Sequence, residues 1–403
     1  MQPVSVQSIK THLQSRQNAM TRLLSELVLL ASPTDVPSAQ EPVFDLVAAS
    51  LDQAGLAVRM LPGRTSGGQL YARRRDRVRH RPVQLMIGHT DTVWPIHSLL
   101  EMPLEIHNGK LRGPGSFGMK AGITQIVFAL ETIHALNLEP TVEPVVFLNS
   151  DEEVGSPDSL HVIRRLAKTA ERTFVLEPAL GPGGKLKTAR KGGGRFTFSI
   201  TGRSAHAGLD PGGGASAIVE LSHVIQSLHA LNDLDRGITV NVGTIAGGSR
   251  PNVVAPTSTA VVDVRVLSAE DADAIERQIT SLKAITPGVS LKVEGRMGRP
   301  PMEPTPRNRT LWHIARDAGL SLGVELEEAL AGGASDGNET SQYCATLDGL
   351  GAVGDGAHAA HEHVDLGKMV ERTALLTLLL MAQSLNPSRH EGPAPAHVDN
   401  SPD

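Results

Sequence analysis

Aromatic residues are scarce: 2 Trp, 2 Tyr and 7 Phe among 403 residues, or 3%. That scarcity excludes the base-stacking platforms used to hold single-stranded nucleic acid. A single cysteine, Cys344, rules out an intramolecular disulfide and fits a reducing compartment. No stretch approaches the ~20 apolar residues that a membrane-spanning helix needs. The N-terminal MQPVSVQSIKTHLQSRQ has no apolar run of signal-peptide length, so the chain reads as cytoplasmic. Neither sign of charge dominates: 38 Lys and Arg face 43 Asp and Glu, a net charge of −5. This leaves no electrostatic footprint for nucleic acid. The one basic run, RRRDRVRHR at 73–81, reads as a solvated turn between two strands.

What is present describes a folded, two-domain protein. Apolar residues make up 40% of the chain and charged residues 20%, enough to bury a sizeable core. The length is that of two ordinary domains.

Up to about residue 190 the chain alternates apolar runs with amphipathic segments. QLMIGH (84–89), PVVFLNS (144–150) and RTFVLE (172–177) are nearly continuous hydrophobic runs that end in polar residues. Such runs suit central strands of a parallel sheet covered on both faces. Between the first two lies a helical pattern carried by Ile123, Ile126, Val127, Leu130 and Ile133. The fold class is therefore α/β, with a mostly parallel sheet flanked by helices.

From Gly194 the pattern changes to strand, helix, strand, strand, helix, strand. The first of these helices carries Ile218, Leu221, Ile225 and Leu228 on one side, and Ser268 is placed to cap the second. This is the split βαβ arrangement, an inserted α+β module at 191–300. The expected organisation is a first domain at 1–190 and 301–385, interrupted by that module, with a disordered tail at 386–403.

The polar ends of the apolar runs carry the chemistry. His89 and Asp91 lie two apart and point the same way on an extended chain. The acid can then hold the imidazole in the tautomer that a metal requires. Glu152 and Glu153 end the next run; as neighbours they diverge, so one can bind metal while the other serves as a general base. Glu177 ends the third. Open α/β sheets place their sites at such carboxyl ends.

The motifs GHTDTVW, RGPGSFGMKAG, SDEEVGS, VLEP, TGRSAHAG, RPNVVA, DVRV, GGASDG and GAHAAHEHVDL occur in that order. Together they resemble the dizinc aminoacylase/carboxypeptidase family, which includes acetylornithine deacetylase, succinyl-diaminopimelate desuccinylase and glutamate carboxypeptidase. The motif wording is nearest to the glutamate carboxypeptidase branch. The resemblance implies two divalent metals, zinc first, with cobalt or manganese as alternatives. It implies His89 and Glu177 as ligands of one metal, and Glu153 and His358 as ligands of the other. By the same resemblance Glu152 is the general base and Asp91 the acid that orients His89. His206 reaches the substrate carbonyl from a partner subunit. Asn252 and Arg265 fix the substrate from a lid domain, and Gly332 and Gly333 form a wall beside the scissile bond. A homodimer formed through the lid, and a small N-acyl amino acid or peptide-like substrate, follow from the same likeness.

One departure stands out. The family places a metal-bridging aspartate where this chain has Gly118. Each metal would keep one imidazole and one carboxylate, below the three protein ligands usual for a catalytic zinc. Two unbridged cations would also repel. The expectation is weakened metal binding and weakened turnover on an otherwise intact site. The alternative is a catalytically dead protein that binds an amino-acid derivative on the same fold.

Two rival nucleophiles are disfavoured. Gly333-Ala334-Ser335-Asp336-Gly337 fits a G-x-S-x-G elbow, with Asp355 and His358 downstream, but no β-rich run is expected just before it. Cys344 has nothing around it to lower its pKa and reads as structural. His361, His363 and His397 read as loop or tail residues.

Overall fold

The computed structural model describes residues 5–386. They form two compact units. One comprises the chain up to Lys187, Pro306–Ala329 and the chain from Tyr343; the other comprises Thr188–Thr305 and Leu330–Gln342. The stretch Leu330–Gln342, which the sequence reading assigns to the first domain, thus groups with the second unit. The expected tail falls, from residue 387, outside the described residues, as does His397.

The first unit is built on a six-stranded sheet in the order Leu56–Leu61, Gln69–Arg74, Glu143–Asn149, Val83–His89, Ala170–Val175 and Ala345–Leu347. The last four strands run parallel, and the first two join antiparallel. The three apolar runs are its centre, and their side chains divide between two cores as period two demands. Leu85, Ile87, Val145, Phe147 and Val175 pack with Val162 and Ile163 of helix Leu160–Thr169 on one face. Met86, Val146, Leu148 and Phe174 face the other core, shared with helices Val6–Leu29, Ala121–Ala135 and Leu366–Met381. Burial on both faces explains why these runs lack polar alternation.

Register places the strand ends. His89 pairs with Asn149, and Ile87 with Val175. Glu177, two residues past Val175, therefore comes level with His89, and Glu152 follows three residues after Asn149.

The basic run leaves the sheet as a turn, but not between neighbouring strands, since Gln69–Arg74 pairs with Glu143–Asn149 rather than with Val83–His89. Acids offset its charge. Arg74 contacts Asp76 and Glu139, Arg75 contacts Asp52, and Arg81 contacts Glu139 and Glu143.

The second unit is an antiparallel sheet, ordered Thr239–Gly247, Thr257–Val266, Gly192–Thr201 and Ser290–Arg299, with helices Ala217–His229 and Ala269–Thr280. Phe196, Phe198, Ile200, Val262, Val264 and Val266 form its core with residues of both helices. Ser268 caps the second helix, accepting from the Asp271 N–H at 3.1 Å. The buried stripe of the first helix differs from expectation. Ile218 is exposed and Ile225 only half-buried, whereas Val224 and Glu220 are buried with Leu221 and Leu228. The Glu220 carboxylate accepts N–H bonds from Ile285 and Thr286, so its burial is satisfied and the stripe rotates toward it.

Among the described residues no helix is long and apolar enough to cross a membrane.

Candidate active site

The site lies at the carboxyl edge of the parallel strands, within the first unit. His89 is the last residue of its strand and is 4% exposed. Its Nδ1 lies 2.9 Å from the Asp91 carbonyl oxygen and 3.3 Å from Asp91 Oδ1. Its Nε2 lies 3.3 Å from Glu177 Oε1. Asp91 thus engages one ring nitrogen and leaves the other facing the cluster, the arrangement that suits a metal-binding imidazole.

Asp91 is fully buried and also organises the acidic turn at Glu152–Val154. Its Oδ1 accepts from the Glu152 N–H at 3.2 Å, and its Oδ2 from the Glu153 N–H at 3.1 Å and the Thr34 hydroxyl at 2.8 Å. Burial would raise its pKa. Contact with His89, the Thr34 hydroxyl and the Glu153 N–H more than offset that and hold it below the ordinary value. Burial likewise works against a charged His89, but the Asp91 and Glu177 carboxylates outweigh it and hold the imidazole well above its usual pKa.

One ligand atom from each of His89, Glu152 and Glu177 lies within 4.8 Å of the others. The neighbouring acid turns elsewhere: Glu153 Oε1 sits 3.3 Å from His358 Nε2. The His358–Glu153 hydrogen bond raises the pKa of that imidazole, and Glu362 and Glu177 add to the effect. His358 adopts φ 61°, a left-handed conformation that is uncommon for a residue with a side chain. His89, Glu152 and Glu177 therefore gather as one set and Glu153 and His358 as a second. The donor chemistry fits divalent cations, which imidazole and carboxylate groups bind together.

Gly118 lies in the π-helical turn Ser116–Lys120 that opens helix Ala121–Ala135. π turns of this kind occur often at functional sites. A Cβ built on Gly118 would meet only Glu362 Oε1, at an ordinary 3.6 Å. A side chain at this position is sterically admitted. Gly115, which begins the turn, has φ 71°, and a Cβ there would press on Thr92 at 2.7 Å. Glycine is required at 115 and not at 118.

Glu362 went unnoticed in the sequence. It is 1% exposed, and its carboxylate accepts from the Trp94 indole N–H at 2.7 Å and from the Gly115, Phe117 and Gly118 N–H groups at 3.0, 2.9 and 2.9 Å. The available signal was a glycine loop with no acid of its own and an acid set between two histidines in a later loop. Nearby Lys120 is also buried and donates to the Leu30 carbonyl at 2.8 Å. Burial pulls its pKa down to about 8, and the Glu362 charge only partly offsets this.

The remaining expected residues lie in the second unit. His206 is exposed, and its Nδ1 accepts from the Gly208 and Leu209 N–H groups, both at 3.1 Å. Asn252 is exposed, and its carbonyl accepts from the Ala207 N–H at 3.0 Å. Arg265 forms a two-pronged pair with Asp263, at 2.8 and 2.9 Å. Gly332 and Gly333 are exposed, and the Gly333 carbonyl accepts from Arg190 at 2.9 Å.

The rival nucleophiles find other uses. A short strand, Glu328–Ala331, does precede Ser335, contrary to expectation. Its Glu-Ala-Leu-Ala sequence hid it, because neither Glu nor Ala favours strands. Ser335 itself is buried and caps the helix Asp336–Thr340 reciprocally with Asn338, so its hydroxyl serves the backbone. The Cys344 thiol is buried and 3.2 Å from the Thr173 hydroxyl, and burial pushes its pKa up. His361 and His363 are partnered by Asp355 and Lys110 respectively.

Residues 188–283 match the M20 peptidase dimerisation domain. Carboxypeptidase G2 of Pseudomonas sp. (strain RS-16) is 28% identical over 304 residues, covering 74% of this chain and 73% of that one. The succinyl-diaminopimelate desuccinylase of Azoarcus sp. (strain BH72) is 29% identical over 332 residues, covering 76% and 86%. The fold is shared with Bacillus subtilis YXEP, a dinuclear metal binding peptidase from the M20 family, at a TM-score of 0.67 and 13% identity over 91% of this chain and 98% of that one. The dimerisation-domain match, the similarity to a carboxypeptidase and a desuccinylase, and the fold shared with an M20 peptidase together support a hydrolase scaffold.

Proposed function

We propose that this chain hydrolyses the amide bond between an acyl or peptidyl group and an amino acid that bears a free carboxylate, in the manner of a glutamate carboxypeptidase, and that Gly118 attenuates the reaction. The observation that carries the proposal is the convergence of His89, Glu152 and Glu177 within 4.8 Å, backed by the buried Asp91. His89 and Glu177 would hold one divalent metal, and Glu153 and His358 a second. Zinc is the first choice, and cobalt or manganese suit the same donors. Bound there, the metals would polarise the scissile carbonyl and acidify the attacking water.

The protein's own contribution is position and proton transfer. Asp91 fixes the ring of His89 and, through two backbone N–H bonds, the turn that presents Glu152. Glu152 takes the proton of the attacking water and delivers it to the leaving amine. His206, from the other protomer of a homodimer, supports the developing oxyanion. Arg265 and Asn252 fix the substrate, Arg265 by the substrate's carboxylate, for which Arg265 must exchange its present partner Asp263. Gly332 and Gly333 form a wall beside the scissile bond.

The test is to restore the bridging acid. The Gly118→Asp variant, which the open space at this position admits, is expected to raise both zinc content after dialysis and hydrolysis of N-acyl amino acids. A rise in neither would favour the binding-protein alternative.

A further inference from the structure

We infer that Glu362 is a positioning residue that spaces the two halves of the metal cluster, an inference that rests on the metal-dependent reading above. A fully buried carboxylate is costly unless hydrogen-bond donors surround it. Glu362 has four, and they come from two segments remote from its own. Trp94 follows His89 and Asp91 out of their strand, while Gly115, Phe117 and Gly118 form the turn that lacks the bridging acid. Glu362 itself ends the loop that carries His358, where its N–H closes a turn onto the Ala359 carbonyl at 2.9 Å. One carboxylate therefore ties the His89 segment, the 118 turn and the His358 loop to a common point.

The geometry at Gly118 gives this anchor a direction. Glu362 Oε1 accepts the Gly118 N–H and lies 3.6 Å from where its Cβ would stand. The backbone at 118 is held by the acid in the orientation from which a side chain would emerge. Because the anchor survives without a side chain at 118, the turn remains ready to receive one. Hydrogen bonds to a carboxylate from backbone N–H groups are strong and geometrically demanding. Neutralising the acid would loosen three segments at once. The effect would resemble the loss of an outer partner of a metal ligand, which typically lowers affinity about 10- to 100-fold.

The experiment compares zinc affinity, by competition with a chromophoric chelator, and thermal unfolding of the metal-free protein. It uses the full chain and its Gly118→Asp form, each with and without Glu362→Gln. Glu220→Gln serves as a control that neutralises a similarly buried glutamate in the other unit. Glu362→Gln is expected to weaken zinc binding about tenfold or more and to alter the visible spectrum of the cobalt-loaded protein, whereas Glu220→Gln leaves both unchanged. Should Glu362→Gln fail to fold, Trp94→Phe removes one donor and is expected to lower affinity by a smaller factor. Zinc binding unaltered by either change, with only the unfolding temperature lowered, would reduce Glu362 to a structural anchor and overturn the inference. Failure of both the parent chain and Gly118→Asp to bind zinc would instead overturn the metal-dependent reading, and this inference with it.

Discussion

Glu220 and Glu362 are each 1% exposed, and each carboxylate accepts hydrogen bonds from backbone N–H groups, Glu362 from the Trp94 indole as well. Glu220 joins a helix to a loop in the second unit, where the residues expected to meet substrate sit on the surface and bond to their own surroundings. Glu362 joins segments that carry a buried, mutually engaged cluster. The same physical device closes a local gap in one unit and sets the spacing of reactive groups in the other. What separates the two glutamates is the set of segments that each holds, not how deeply it is buried.

The largest test of that contrast is to break the first unit's cluster at its base. Asp91→Ala removes the partner of His89 and the acceptor of the Glu152 and Glu153 N–H groups. Loss of one member of a buried charge pair costs about 3–5 kcal/mol, to be read by urea unfolding of the metal-free protein. Lys120 offers the opposite effect. Its folded pKa of about 8 lies below the ordinary lysine value, so the unfolded chain binds the extra proton between them. Stability should then rise as pH increases from about 8 to about 10.5. Lys120→Met should flatten that rise and add about 3 kcal/mol near neutral pH.

Glu220→Gln should cost less, about 1.5–3 kcal/mol for bonds to a charged group. Burial alone would raise the pKa of Glu220, but the Thr286 and Ile285 N–H bonds lower it overall. Its contribution is therefore complete above the unfolded value and lost as pH falls through the lowered folded value. The flat acid limb of a stability–pH profile in Glu220→Gln checks the sign. The smallest effect is expected at Asp263→Asn in the Gly118→Asp background. Freeing Arg265 from its neutralised neighbour should lower KM for carboxylate-bearing substrates by about threefold, with kcat little changed.

Much of this was legible in the sequence for identifiable reasons. The central strands announced themselves because burial on both faces forces continuous apolar runs, and their polar ends marked His89, Glu152 and Glu177. Ser268 announced a helix start because its hydroxyl has one favourable use there. The stripe on helix Ala217–His229 was misplaced because Glu220 is buried, and its compensation comes from residues more than sixty positions away. Glu362 escaped for the same reason: its significance lies in donors from Trp94 and the 115–118 turn, which no local pattern connects to it. Strand Glu328–Ala331 was missed because Glu and Ala favour strands poorly on their own, and pairing overrides that preference.

The match of Ile87 with Val175 has a further implication. It makes the backbone ladder a gauge block for the chemistry at its rim. Sliding one rung would carry Glu177, two residues past the strand's end, about 3.3 Å along the strand direction and turn the strand's side chains to the opposite face. It would also push Val175 and Phe174 into each other's oily compartments. The packing beneath the rim thereby vetoes any misalignment above it, and a lone insertion inside either strand should silence the site even with every reactive side chain still present.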